Sequence, residues 1–109
     1  MASRDDADQA FDALVEQMTS RGAVAAKMFG KRSLKTGSKA FACLFDDGVA
    51  VRLGAGTIEH TEALAAKGVV LFDPSGTDRP MRDWVWIPVK YAKRWPQFAE
   101  VARLRFAEP

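Results

Sequence analysis

The chain has 109 residues, of which 48% are hydrophobic, 28% charged and 10% aromatic, and its net charge is +2. These values describe one ordinary globular domain over residues 1–109 and exclude a disordered or fibrous chain. The only cysteine, Cys43, excludes an intrachain disulfide and a Cys-rich metal site.

The charge is segregated along the chain. Residues 1–20 hold one Arg against five acids, and 21–39 hold six Lys or Arg and no acid. Residues 40–78 hold two cations against six acids, and 79–109 seven against three. A modest basic patch can therefore form on a nearly neutral molecule. Met1 to Asp8 lacks the basic-then-apolar order of a secretory signal, and no apolar run reaches the length of a membrane span. The expected location is the cytoplasm, with no membrane partner.

Phe11, Leu14, Val15 and Met18 recur at helical spacing, with Asp5, Asp6 and Asp8 at the end where the helix dipole favours negative charge. This predicts a first helix over about residues 5–20, ended by Gly22. An antiparallel meander of four segments follows. A three-residue Asp46-Asp47-Gly48 loop, with Gly48 left-handed, places Phe45 opposite Val49 and Cys43 opposite Val51. A two-residue Gly37-Ser38 loop sets Leu34 opposite Phe41, and a three-residue Gly30-Lys31-Arg32 loop sets Met28 opposite Leu34. The predicted inner face is Val24, Ala26, Met28, Leu34, Phe41, Cys43, Phe45, Val49, Val51 and Leu53. The predicted outer face is Lys27, Phe29, Ser33, Lys35, Ala42, Leu44 and Arg52.

Thr57 is a natural N-cap for a short middle helix ending at Lys67-Gly68. Val69 to Phe72 reads as a short strand, Asp73-Pro74-Ser75-Gly76 as a turn, and Trp84 to Val89 as a last strand with Pro88 at its end or edge. A final helix begins near Trp95, with Pro96 in its first turn, and buries Phe98, Val101 and Ala102. The predicted fold class is α+β: a meandering antiparallel sheet with an N-terminal, a short middle and a C-terminal helix packed on one face.

Catalytic arrangements are absent from the pattern. Cys43 sits between Phe41 and Phe45 and reads as a buried structural thiol. His60 is the only histidine, beside Glu59 and Glu62, in an expected solvated position without metal-ligand spacing. Asp46 and Asp47 are explained by turn preference, and a lone Gly54-x-Gly56 is too weak for a phosphate loop. The expectation is a non-enzymatic domain with no cofactor, and the pattern assigns no small-molecule ligand.

Lys27-Met28-Phe29-Gly30, Gly37-Ser38-Lys39-Ala40-Phe41-Ala42, Val49-Ala50-Val51-Arg52-Leu53, Phe72-Asp73-Pro74 and Met81-Arg82-Asp83-Trp84-Val85 occur in that order. In this the chain resembles the N-terminal domain family of the TfoX/Sxy competence regulators, over about residues 10–106. The resemblance implies an α+β fold of meander sheet and packed helices, and a regulatory role. Full-length members carry a C-terminal helical domain linked to DNA-related function, and the expectation for this chain is a stand-alone N-terminal-type domain, to which the transcriptional role carries over only weakly.

One constellation remains for function. Lys27, Phe29, Lys31, Arg32, Lys35, Lys39, Leu44 and Arg52 combine cations with apolar groups. Such a surface suits self-association or another protein partner, in which Phe29 and Leu44 become covered. It also suits weak nucleic-acid binding through the basic hairpins of residues 27–39. A plain solvated face is the third reading.

Overall fold

The computed structural model describes residues 4–106; the ends of the 1–109 domain range lie outside the described residues. Helix α1, Arg4–Thr19, buries Ala7, Phe11, Leu14 and Met18 along one stripe. Gly22, at φ +100°, ends it. The Gly22 amide donates to the Thr19 carbonyl at 3.1 Å and that of Ala23 to Met18 at 3.0 Å, so the last turn's orphan carbonyls are satisfied.

Strands β1 (Val24–Met28), β2 (Lys31–Thr36), β3 (Lys39–Phe45) and β4 (Gly48–Arg52) form the expected meander. Helix α2, Ile58–Ala65, then leads to β5, Val70–Phe72, and β6, Met81–Pro88. Thr57 caps α2 by accepting the His60 amide at 3.2 Å. The sheet is antiparallel with six strands in the order β1-β2-β3-β4-β6-β5. A 3₁₀ segment, Val89–Arg94, which the sequence pattern does not announce, precedes helix α3, Trp95–Arg105, and Pro96 lies in the first turn of α3 as expected.

The register differs from the one the turns suggest, and three causes account for it. Phe29 and Gly30, both at positive φ, form a two-residue turn that pairs Met28 with Lys31. Positive φ at both central residues is the type I′ geometry whose twist matches the strands. Asp46, at φ +53°, opens a second two-residue turn that pairs Phe45 with Gly48. Gly48 therefore belongs to the strand. The Gly37-Ser38 turn pairs Thr36 with Lys39 and Lys35 with Ala40 as expected, but Leu34 then faces Ala42 instead of Phe41. Phe41 is left as the extra residue of a bulge, which reverses the parity of β3 beyond it.

The faces change accordingly. Leu34, Phe41, Val49, Val51 and Leu53 are buried in the main core as expected, and Ala42 joins them. Leu44 packs against the same core from the helix side. Met28, Cys43 and Phe45 belong to a second apolar cluster instead. Val24 is exposed and Ala26 half-buried on the edge strand. The main core also takes Phe11 and Leu14 from α1, Ala63 from α2, Val85 and Ile87 from β6, and Trp95, Phe98 and Ala102 from α3. All three helices thus lie on one side of the sheet, and Val101 is only half-buried.

Charged pairs tie the helices to each other and to the sheet. Arg32 of β2 meets Asp12 at 2.8 Å and Asp8 at 3.3 Å, with its guanidinium 5.1 Å from the Phe11 ring centre. Arg21 meets Glu100 at 2.9 Å, and Arg103, which also holds Glu100, donates to the Arg21 carbonyl at 3.0 Å. The Arg103 hydrogen bonds hold the Glu100 carboxyl below its ordinary value of 4.5. A depressed carboxyl contributes stability above its unfolded value and loses it as pH falls through the folded one. Glu100→Gln is therefore expected to lower stability by up to about 1 kcal/mol at neutral pH and by nothing near pH 2. Urea unfolding of both proteins at the two pH values checks this. A deficit that persists in acid would assign the effect to packing.

Candidate functional site: the helix-free face of the sheet

Strand β6 shows why the sheet has two apolar faces. Val85 and Ile87 point to the helices, while Trp84 and Trp86 alternate with them and point away. On this second side Cys43, Ala50, Phe72 and Trp84 are buried, and Met28, Ala40, Phe45, Met81 and Trp86 pack around them half-buried. None of these residues belongs to a helix.

Trp86 organises the upper part of the face. Its ring lies over Gly48, where an added Cβ would sit 2.5 Å from Cε2 and 2.7 Å from the Ile87 carbonyl oxygen. Its indole N–H donates to the Phe45 carbonyl at 2.9 Å. Phe45 and Phe72 meet edge to face with ring centres 5.2 Å apart, and Trp84 follows at 6.0 Å from Phe72. Between the Phe45, Phe72 and Trp86 rings and Val70 and Leu71 of the edge strand is an apolar slot of about 250 Å³, lined also by Asp46 and Asp73. A second hollow, bounded by Phe29, Lys31, Phe45, Pro74 and Ser75, adjoins it across the Phe45 ring. The Lys31 ammonium stands 5.8 Å from that ring's centre.

The turn after β5 is held by its own side chains, as its composition suggests. Asp73 accepts from the Ser75 hydroxyl at 2.7 Å and from the amides of Gly76 and Arg79 at 3.2 Å each. Those donors, Ser75 foremost, keep the Asp73 carboxyl below its ordinary range. At the opposite end of the face, Lys39, Arg52, Arg82 and Asp83 border a basic hollow of about 520 Å³ beside Trp84.

The structure divides the residues singled out in the sequence. Lys31, Lys35 and Arg52 share the helix-free face, Lys31 and Lys35 by alternation with Arg32 and Leu34, and Arg52 by its pairing with Trp84. Lys39 borders the basic hollow. Phe29 is in the β1–β2 turn, 58% exposed at φ +55°, a conformation rarely adopted by a bulky side chain. Lys27 pairs with Arg32 on the helix side, Arg32 is engaged by α1, and Leu44 packs on the main core. The expected outer face thus loses Lys27 to the shorter β1–β2 turn and Ala42 and Leu44 to the bulge in β3. The sequence reading missed Phe45, Met81, Trp84 and Trp86 as members of this face. The available signal was Trp84-Val85-Trp86-Ile87, a strand apolar at both parities, which requires two apolar sides.

His60 departs from its expected solvated position. It is buried, and its Nε2 lies 2.8 Å from the Arg82 carbonyl oxygen. A carbonyl only accepts, so Nε2 carries the proton and the ring ties α2 to β6. Among the described residues no cluster of His, Cys, Asp and Glu is arranged to hold a metal ion. Comparison of the sequence with protein-family models, with curated proteins and with solved structures finds no match in any of the three.

Two measurements probe this face. Burial pushes the Cys43 thiol up to about 11, against a smaller opposing pull from Lys31. Cys43 is therefore expected to stay unmodified by an aromatic disulfide reagent at mildly basic pH in the native state and to react at once in denaturant. Rapid native labelling would show the face to be open at Cys43. Gly48→Ala is expected to displace Trp86, costing about 1–3 kcal/mol and shifting tryptophan emission to the red. An unchanged emission spectrum would mean that the strand yields instead.

Proposed function

We propose that the chain is a non-enzymatic interaction domain of the TfoX/Sxy N-terminal type, acting in the cytoplasm through protein contacts at the helix-free face of its sheet. The observation that carries this reading is the second apolar cluster. Three helices cover one side, while Phe45, Trp86, Met28 and Met81 remain half-buried on the other with Phe29 and Val70 exposed beside them. A contiguous apolar area rimmed by charge is the usual mark of a docking surface. The α+β architecture also agrees with the one the resemblance implies.

The polar chemistry supports binding over catalysis. The Cys43 thiol is held protonated by burial, and His60 spends its Nε2 proton on a backbone carbonyl. Phe29 supports the same reading, since a bulky aromatic stands exposed at a left-handed turn position that Asn or Gly would occupy with less strain. The nucleic-acid reading keeps Phe29 as an exposed ring but loses Lys27 and Arg32 to the helix side, and Phe72 and Trp84 are buried.

A photo-crosslinking residue at Val70 is expected to yield adducts of defined mass, with a second copy or with another protein, while the same residue at Gln17 on α1 yields none. Equal adducts at both sites, or none at Val70 in a chain that light scattering shows to be monomeric, would sink the proposal. Phe29→Asn separates function from stability. It is expected to raise stability by about 1 kcal/mol, because Asn accepts the left-handed conformation more readily, while reducing the Val70 adducts. Loss of stability in that variant would instead make Phe29 a structural residue.

A further inference from the structure

The placement of cations on and beside the helix-free face, with no acid among the described residues paired to its lysines, gives that face a definite chemical preference. Among the described residues, the ion pairs engage Arg4, Arg21, Arg32, Arg52, Arg94, Arg103 and Arg105, and none engages a lysine. Lys31, Lys35 and Lys39 on or beside this face, and Arg82 at the basic hollow, form no ion pair with a described residue. Lys31 and Lys35 are four residues apart on one side of β2, a span of about 13 Å at strand rise. Lys31 stands against Phe45 at the apolar end, and Lys35 pairs with Ala40, which borders the basic hollow. Between them Ser33 carries a buried hydroxyl without a hydrogen-bond partner. The face therefore has an apolar slot at one end, a basic hollow at the other and lysines along β2 between them.

We infer that this face takes an extended acidic segment of a protein partner, anchored by one large apolar side chain in the Phe45–Phe72–Trp86 slot. The inference rests on the interaction reading above and names the chemistry of the partner. The anchor belongs in the slot because its walls are aromatic and aliphatic and its volume, about 250 Å³, suits one aromatic or long aliphatic side chain. The acids belong along β2, where Lys31 and Lys35 are spaced for carboxylates four residues apart on an extended chain. They also belong over Lys39 and Arg82, where Asp83 is already engaged by Arg52 at 3.7 Å and by the Ala55 amide at 2.9 Å. A polynucleotide suits the same lysines less well. Inserting a base into the slot would bring its phosphates beside Asp46 and Asp73, whereas an apolar side chain brings no charge there.

The test is selection from a displayed library of random peptides about a dozen residues long on the folded, immobilised chain. Enriched peptides are then synthesised and titrated beside a thymidine oligonucleotide. Recovered sequences are expected to share one large apolar residue with two or more Asp or Glu within about four positions. Their affinity is expected to fall about tenfold in the double variant Lys31→Glu/Lys35→Glu and to weaken as salt rises. Glu16→Lys, on the exposed side of α1, is expected to leave it unchanged, and circular dichroism confirms that each variant is folded. No enrichment, enrichment of neutral or basic peptides, affinity indifferent to the lysine reversals, or preferential capture of the oligonucleotide would each overturn the inference. If Val70 crosslinks specifically while the peptides fail, the acidic-segment chemistry is wrong and the interaction reading stands. If both fail, the face itself is not a docking surface.

Discussion

The bulge at Phe41 decides which side of this sheet is which. One extra residue in β3 lets Phe41 and Ala42 both enter the core beneath the helices, and it turns Cys43 and Phe45 to the opposite side. Without it Leu44 would leave the helices and Cys43 would join them, since a one-residue shift moves every later side chain to the other face. The two-residue turn at Asp46 carries this parity into β4, and β4 passes it to β6. Both tryptophans of β6 consequently stand on the side without helices.

That side is stabilised by a close fit of ring against backbone. Gly48 leaves the space that Trp86 fills, and Trp86 reaches across β4 to donate a hydrogen bond to the Phe45 carbonyl at the end of β3. The aromatic stack from Phe45 through Phe72 to Trp84 shields Cys43 and Ala50 from water, although it leaves Phe45 and Trp86 partly open. A surface built in this way is firm enough to present a slot and apolar enough to favour having it filled.

Charge follows the same division. Arginine, with its planar fork of donors, joins α1 to β2, the turn after α1 to α3, and α2 to α3. Lysine remains solvated at the helix-free face. The acidic first segment of the chain and the basic second one therefore do not simply cancel. Arg32 neutralises part of α1, and the lysines of the same strand stay available on its reverse.

Much of the architecture was legible in the sequence. Helical spacing in α1, the Gly22 stop, the Thr57 cap, Pro96 at the start of α3 and the succession of β1 to β4 as a meander are set by local backbone preferences that act wherever those residues occur, whereas the place of β6 between β4 and β5 is not. The faces of the sheet were not legible. Asp46-Asp47-Gly48 admits either a two- or a three-residue loop, and a glycine free to adopt positive φ in a turn is equally suited to lie flat beneath a tryptophan. The choice is made by Trp86, which comes from a strand far along the chain. His60 is a similar case, since only the arrival of Arg82 supplies the carbonyl that draws it inward. The sequence by itself determined the helices and the strands up to their ends, because these rest on neighbours in the chain, while the 3₁₀ segment Val89–Arg94 and the start of β6 at Met81 were not announced. Tertiary structure decided which residues form the docking face, because parity depends on one bulge and one turn whose alternatives differ only in what packs against them.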